Sequence, residues 1–428
     1  MNKMSKKLLL LYGFIAPMPI LTFMGVTWFG WATMLFGIAI LCRIIGKKKI
    51  LLKWNFYCVI LVTVIISSLI CLMTDLPAYW KVEQYKNIVW EVMYFSIFMW
   101  FLISKEDDAS VFLKGIYYSS IFQMFWGFLQ FVFYNVMQIK INNIIFGDLL
   151  KMQTRELTQL KGNSIALSGM CWNAGNLAAL MCFGYFFCDS TFLKVMFIAF
   201  SLLSGSRTLL LGMCICVIGD LYIHKNEKIS LNRNTIIWAL SIVTVMVVII
   251  FNNRLILTHL IEKINYLIEA FSRENLSSQT SSKIHLRYWL TIGQVAKWNG
   301  TIHNLFGWGN GCSGYPFSAI FGQFVGEQWV VECDYINRLW SFGFVGFFLW
   351  YGWFIKMMLN GLKIDKKYFF LLFAILIEGI TYNVIQMWSY LTLLIFFSDV
   401  MKEKNVFNIM QNTNKTVNRS ISSKTDQL

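Results

Sequence analysis

Long, continuous runs of apolar residues recur along most of this chain and restrict it to folds that a lipid bilayer can cover. Hydrophobic residues make up 57% of the 428 positions, and charged residues only 14%. A water-soluble protein of this length could not bury so much apolar surface, whereas a helix of about 20 apolar residues spans a bilayer. The sequence therefore predicts an all-α, polytopic membrane protein.

The apolar runs are distinct enough to place individual spans. Twelve spans are predicted, at about 8–23, 28–45, 57–74, 88–104, 110–134, 168–188, 191–204, 207–223, 235–251, 334–356, 368–385 and 387–401. An even number of spans places both termini on one side, and the lysines beside them make that side the cytoplasm. Residues 1–404 then form one membrane domain, and the polar tail 405–428 is predicted to be disordered.

The net charge of the chain is +15, and its basic residues are distributed as the predicted topology requires. Basic residues cluster at 43–53, 225–233 and 356–367, which are alternate loops. Cytoplasmic loops of membrane proteins carry such an excess of lysine and arginine. This rule accounts for most of the excess of basic over acidic residues. We therefore expect the basic residues to lie at the surface of the bilayer, and we expect no binding of nucleic acid.

One external loop, at about 252–333, is far larger than the others. In its first part apolar residues recur at helical spacing, at Ile256, Leu260, Ile264, Leu267 and Phe271. A second amphipathic stretch runs from about 284 to 298. Both stretches predict helices that lie against the membrane surface rather than a separate soluble domain.

Arg207 lies between two apolar runs that are too short to cross a membrane in the usual way. The runs 192–203 and 208–221 each cover roughly 20 Å of a hydrocarbon layer about 30 Å thick. The turn from Ser204 to Arg207 is therefore predicted to lie below the bilayer surface. An arginine at that depth pairs with a carboxylate or helix-end carbonyls, or it binds an anion such as a phosphate.

Two further segments of the large loop are candidates for anion binding. Arg287 lies near the start of the second amphipathic stretch, where it either extends to the membrane surface or supplies a second cation to the same anion. The glycine-rich segment around Gly307 and Gly309 does not match a phosphate loop or a dinucleotide motif. It predicts a tight turn whose consecutive amides are able to form an anion nest.

Acidic residues and a histidine near the next span supply candidates for a general base. Glu332 and Asp334 lie at its start, and His303 lies in the large loop. Either carboxylate is an interfacial charge or a base with a raised pKa, and all three candidates remain open. Glu378 lies within the eleventh span and is a candidate to neutralise Arg207.

The cysteines carry less information. Only Cys312 and Cys333 share the large loop, where they are candidates for a disulfide. No cysteine or histidine spacing indicates a metal site, and the sequence implies no metal and no cofactor.

The order of these motifs resembles the O-antigen polymerase and O-antigen ligase superfamily. Gly205-Ser-Arg207 lies between short helices, and the external loop carries Leu286-Arg-Tyr-Trp289 and Asn304-Leu-Phe-Gly-Trp-Gly309. An acidic Glu-x-x-Tyr then leads into Gly343-Phe-Val-Gly346. The resemblance covers about residues 160–350 by motif and the whole chain by topology.

The resemblance implies an enzyme that joins lipid-diphosphate-linked oligosaccharides on the outer face of the bacterial cytoplasmic membrane. It implies that Arg207 and Arg287 hold the diphosphate of an undecaprenyl-linked glycan, with Ser206, Tyr335, Gly307 and Gly309 in supporting positions. Ligases of the superfamily place a histidine where this chain has Glu332. The acidic residue fits the polymerase branch better.

We therefore interpret the chain as a polysaccharide polymerase, and two alternatives remain. A ligase of the same superfamily would pass the glycan to lipid A core or to protein. A flippase for lipid-linked oligosaccharides also has many spans, although the few charges within spans and the large loop disfavour it. The sequence leaves open whether a chain-length regulator binds.

Overall fold

The computed structural model describes residues 3–45, 56–74, 76–103, 106–152, 160–161, 164–165, 167–171, 174–224, 258, 261, 288–321 and 331–383. Helices account for 81% of these residues, which confirms the all-α class. Several predictions lie outside the described residues: the spans 235–251 and 387–401, Arg287, all five apolar residues of the stripe from Ile256 to Phe271, and the tail.

Most of the described residues lie in α-helices. They are α1 (Lys3–Ile15), α2 (Trp28–Ile45), α3 (Phe56–Leu72), α4 (Ala78–Ile103), α5 (Glu106–Met137), α6 (Ala178–Phe187), α7 (Thr191–Leu203), α8 (Arg207–Ile223), α9 (Ile292–Phe306), α10 (Tyr315–Phe321), α11 (Asp334–Ile364) and α12 (Lys366–Thr381). A π-helix covers Asn143–Leu149, and a 3-10 helix covers Ala174–Leu177. Two antiparallel hairpins pair β1 (Thr22–Phe23) with β2 (Val26–Thr27), and β3 (Leu160–Lys161) with β4 (Ser164–Ile165).

Two predicted spans are wrong in their bounds. The first, 8–23, ends as a helix at Ile15, because Pro17 and Pro19 cannot donate the backbone hydrogen bonds that would continue it. The sixth, 168–188, is helical from Ala178 onwards in α6. Before it, the backbone at Gly169 is tied to the side chain of Gln130 on α5 instead, with an N–H to Oε1 distance of 2.9 Å.

The core surrounds α6, whose residues from Ala178 to Phe186 are all buried. A helix that is apolar on every face needs neighbours on every side. The neighbours of α6 are α5, α7, α8 and α12. The central position of α6 brings the first turn of α8 and the last turn of α12 to the same end of the bundle.

Helix α11 is broken at Gly343, where φ is 66° and ψ is −173°. The ring of Tyr335 stacks on that of Tyr351 with centroids 4.6 Å apart. On a straight helix these residues would lie roughly 24 Å apart along the axis. Helix α11 is therefore a V with a short arm, 334–342, and a long arm, 344–364, and we call it the α11 V.

The break leaves carbonyl groups of the short arm without helical donors, and the glycine-rich segment satisfies them. The N–H groups of Trp308 and Gly309 donate to the carbonyls of Trp340 and Ser341, each at 2.8 Å. The Ser67 hydroxyl of α3 also donates to the Ser341 carbonyl at 2.8 Å. A buried carbonyl without a donor costs about 1–3 kcal/mol, so these bonds stabilise the vertex of the V.

Among the described helices, one is long and apolar enough to cross a membrane by length and composition. It covers Asp334–Lys363, with a mean hydropathy of 1.4. Because it is bent at Gly343, its long arm of about 21 residues reaches roughly 31 Å. Shorter apolar helical stretches cover Trp28–Ile40, Cys58–Leu72, Ala178–Phe187 and Thr191–Leu203.

Candidate functional site

Arg207 is the first residue of α8, and the turn before it is built to hold it there. The preceding helix, α7, ends at Leu203, which confirms the predicted interruption between two short helices. Gly205 has φ 70°, a left-handed conformation that glycine adopts without strain. Ser206 caps α8 by accepting a hydrogen bond from Leu209 N–H at 3.3 Å. Arg207 is half-buried at this end of the bundle.

The first turn of α8 lies against the last turn of α12. The hydroxyls of Thr208 and Thr381 are 3.1 Å apart. One turn deeper, Gly212 has no side chain, and the Glu378 carboxylate fills that space. The two helices are therefore close enough for side chains of both to meet one ligand at this end.

The predicted pairing of Glu378 with Arg207 is wrong. The Oε1 of Glu378 accepts a hydrogen bond from the Cys182 thiol at 3.3 Å, and within the described part of the chain its Oε2 has no hydrogen-bond partner. The physical reason is depth, because Glu378 lies level with Gly212 whereas Arg207 lies level with Thr381.

The start of α11 meets the same end of α12. Asp334 is fully buried, and its Oδ2 lies 3.2 Å from the point where a Cβ on Gly379 would stand. Tyr335 donates its hydroxyl to the Leu376 carbonyl at 2.9 Å, and Cys333 donates its thiol to the Ile380 carbonyl at 3.3 Å. These contacts fix the short arm of the α11 V beside α12.

Three helix ends thus converge, and we call this region the helix-end junction. It contains six of the residues that the sequence singled out, Ser206, Arg207, Glu332, Asp334, Tyr335 and Glu378. Glu332 is half-buried there, whereas Asp334 and Glu378 are fully buried. A basic residue at a helix N-terminus and several carboxylates therefore share one region.

The large loop returns to the helix-end junction at Tyr288, the residue after Arg287. Tyr288 is fully buried, and its ring packs on that of Phe317 at 5.1 Å. Burial, and then the charge of nearby Glu332, raise the pKa of the Tyr288 hydroxyl. The Trp289 ring lies 6.2 Å from that of Tyr335. The chain directly after Arg287 therefore lies against the acidic residues of the junction.

His303, Gly307 and Gly309 form a separate group at the vertex of the α11 V. The His303 ring stacks on the Trp308 ring with centroids 3.6 Å apart, and its Nδ1 lies 3.0 Å from the Gly307 carbonyl oxygen. Helix α9, which carries His303, has its own break at Gly300, and residues 288–290 of the predicted amphipathic stretch 284–298 are also helical.

Two amides of the glycine-rich segment are not available for the predicted anion nest. The amides of Trp308 and Gly309 are already committed to the carbonyls of Trp340 and Ser341. Gly309 also lies directly on the Gln84 side chain, 2.7 Å from where its Cβ would stand. The close packing explains the glycines, and the segment holds the bent α11 in place.

Arg338 is a charged residue in this region that the sequence analysis missed. It is 4% exposed on the short arm of the α11 V, and its guanidinium carbon lies 4.8 Å from the centre of the Trp350 ring. Its position one helical turn after Asp334, inside an apolar span, is the signal that could have identified it.

Cys312 and Cys333, the candidate pair for a disulfide, are both free thiols. The Cys312 thiol donates to the Trp80 carbonyl of α4 at 3.4 Å, and that of Cys333 donates to α12. Burial raises the pKa of each thiol to about 12.

A comparison of the chain with protein-family models and with curated proteins finds no match.

Proposed function

We propose that this protein is a membrane glycosyltransferase that polymerises a bacterial surface polysaccharide. It transfers a growing glycan from undecaprenyl diphosphate to the non-reducing end of a new lipid-linked repeat. The observation that carries the proposal is the helix-end junction, where Arg207 at the start of α8 shares one region with Glu332 and Asp334. Such a region holds an anionic leaving group and a base side by side.

A multi-pass arrangement of twelve spans is part of the proposal, and the surface of the bundle supports it. Large apolar side chains are exposed on helix after helix, at Leu35, Val62, Leu69, Val132, Leu202, Ile218, Leu221 and Phe348 among others. Soluble monomers rarely expose apolar patches of this extent, whereas a lipid-facing surface does. We place the junction on the extracytoplasmic face and both termini in the cytoplasm.

The first turn of α8 is suited to a diphosphate. A helix N-terminus carries roughly half a positive charge, and its first N–H groups have no partners within the helix. The guanidinium of Arg207 adds a full charge and a planar donor pair that matches phosphate oxygens. Arg287, whose chain neighbour Tyr288 lies near Glu332, is the proposed second cation.

Glu332 is the proposed general base. It is half-buried, whereas Asp334 is fully buried and the His303 ring is stacked on Trp308. Glu332 takes the proton from the attacking sugar hydroxyl, and that oxygen forms a bond to the anomeric carbon of the donor. The bond from that carbon to the diphosphate oxygen breaks, and undecaprenyl diphosphate leaves with the electron pair, stabilised by the arginine.

The test compares Arg207→Gln and Arg207→Lys with Lys86→Gln, a control at an exposed lysine of α4. Each purified full-length variant is reconstituted with lipid-linked repeats, and polymer length is followed over time. We expect Arg207→Gln to lose at least about 100-fold in rate, Arg207→Lys to retain part of it, and the control to match the wild type. Normal polymer from Arg207→Gln at equal protein levels would refute the proposal.

A further inference from the structure

Arg338 lies inside the α11 V, between its two arms. Its guanidinium carbon is 5.4 Å from the centre of the Phe342 ring on the short arm and 4.8 Å from that of Trp350 on the long arm. The Tyr351 ring lies 5.2 Å from Trp350 and stacks on Tyr335. Gly346 lets the arms approach, because its missing side chain leaves room for Phe342.

This guanidinium has no carboxylate partner among the residues that the structure describes. Its Nε is buried without a hydrogen-bond acceptor. Asp334 lies one turn earlier on the same arm, and its carboxylate lies against Gly379 of α12. A buried cation held mainly by ring faces is costly, because cation–π contacts return only about 1–2 kcal/mol each.

Two buried polar atoms at the V lack a hydrogen-bond partner in the described part of the chain, and both carry a proton. The Tyr351 hydroxyl, like Arg338 Nε, is buried and lacks a hydrogen-bond partner in the described part of the chain. The guanidinium offers donors only, and the hydroxyl has a proton to give. Donors without acceptors, around a fixed positive charge, are matched by an oxygen-rich anion.

We propose that Arg338, with Tyr351, binds an oxyanion of the substrate inside the α11 V. The oxyanion is either a phosphate of the lipid diphosphate or the carboxylate of an acidic sugar in the repeat. The inference rests on the proposed function, since it assigns a further substrate contact to the same enzyme. The short arm ties the two regions together, because its first residues, Asp334 and Tyr335, belong to the helix-end junction.

The experiment measures binding rather than activity. The purified full-length protein is titrated in detergent, by calorimetry, with inorganic pyrophosphate and separately with glucuronate. The variants are Arg338→Gln, Arg338→Lys and Tyr351→Phe, each also made with Arg207→Gln so that Arg207 does not mask the result. The matched control is Lys114→Gln, which removes a cation 5.7 Å from the Tyr118 ring of α5, outside the V.

We expect saturable binding by the wild type, at least about tenfold weaker binding by Arg338→Gln, and a smaller loss for Arg338→Lys and Tyr351→Phe. The control keeps the wild-type affinity. If Arg338→Gln loses affinity for pyrophosphate, the bound oxyanion is a phosphate of the lipid diphosphate. If it loses affinity for glucuronate, the oxyanion is the carboxylate of an acidic sugar. Tyr351→Phe removes a single oxygen, so it keeps the test decisive if Arg338→Gln does not fold.

The inference is overturned if the wild type binds neither anion, or if Arg338→Gln and Tyr351→Phe bind as tightly as the wild type. A lower melting temperature of these variants with unchanged affinity also overturns it, because Arg338 would then only support the fold. Failure of the proposed function looks different. In that case Arg207→Gln makes normal polymer while the anion affinity still depends on Arg338.

Discussion

At the scale of single residues, two carboxylates only two positions apart lie in different surroundings. Glu332 precedes α11 and is half-buried near Tyr288, whereas Asp334 is buried against Gly379. A base must reach the proton that it removes. The difference in access therefore separates their proposed roles, with Glu332 acting on substrate and Asp334 fixing the start of α11.

We expect Glu332→Gln to lower the rate of polymerisation about 100-fold or more, because general-base catalysis contributes about 10² to 10⁴ in rate. Glu332→Asp keeps the carboxylate and should retain part of the rate. His303→Gln, which changes a ring stacked on Trp308, should keep the chemical step. The measurement is the initial rate with saturating lipid-linked repeats. A slow His303→Gln enzyme beside a normal Glu332→Gln enzyme would reverse this assignment.

The thiols of Cys312 and Cys333 should react slowly with a maleimide in the folded protein. Burial raises the pKa of each to about 12, so little thiolate is present at pH 8. In the unfolded chain the thiols ionise near pH 9. The buried thiols therefore contribute to the free energy of unfolding below that pH, and this contribution is lost as the pH rises from 9 toward 12. The measurement is the labelling rate before and after denaturation, with Cys312→Ser and Cys333→Ser variants. Cys42 and Cys214 are exposed and label in every variant, so the burial is contradicted only if Cys312→Ser or Cys333→Ser removes a fast-labelling thiol from the folded protein.

The sequence located Arg207 but not Arg338, and the reason is spacing. Arg207 interrupts two apolar runs that are each too short, so its depth follows from counting residues. Arg338 lies in an apolar run that looks like an ordinary span, and a single charge in such a run does not by itself indicate a functional site. Its unusual position depends on the bend at Gly343, which brings Trp350 over it.

At the scale of elements, the bend in α11 is the feature that the sequence could not predict. The predicted span 334–356 has the length and composition of a straight helix. The pair Gly343 and Gly346 does not indicate that the helix bends, or toward which neighbour. The bend requires donors from Trp308 and Gly309, more than 30 residues earlier in the chain. The positions of helices were largely predictable from hydropathy, but contacts between distant segments were not.

We expect Gly343→Ala to lower stability by roughly 1–3 kcal/mol, because φ of 66° strains any residue with a Cβ. The added methyl would also meet the backbone of Leu305 and Phe306. Gly352→Ala is the matched control on the long arm, where nothing lies within 4 Å of the new methyl. The control should be neutral or slightly stabilising.

Thermal unfolding in detergent measures both glycine variants. Equal melting temperatures for Gly343→Ala and the wild type would show that the bend is not required. The rate of polymerisation should fall with stability only for Gly343→Ala, since the bend positions Arg338 and the start of α11.

At the scale of the whole molecule, deletion of the gene separates polymerase from ligase. We expect the deletion strain to carry single repeats attached to their final acceptor and no long polymer. Long polymer accumulating on undecaprenol would instead indicate a ligase. The measurement is an electrophoretic profile of surface glycan together with analysis of the lipid-linked pool. The control is the same strain complemented with the wild-type chain.

Liposomes with donor lipid on one side test the transporter alternative. Chain extension on that side without movement of lipid to the other supports an enzyme, and the Arg207→Gln protein serves as the inactive control. Translocation without extension would contradict the proposed function and favour a flippase.

The hydrogen bonds at the vertex of the α11 V impose an order on biosynthesis. The ribosome makes Trp308 and Gly309 before it makes Trp340 and Ser341, whose carbonyls they serve. A nascent chain that stops near residue 330 therefore holds two amide donors, together with Ser67 of α3, whose acceptors have not been synthesised. The vertex stays incomplete until α11 emerges, so a premature stop between residues 309 and 340 leaves an unfinished vertex rather than a shortened enzyme.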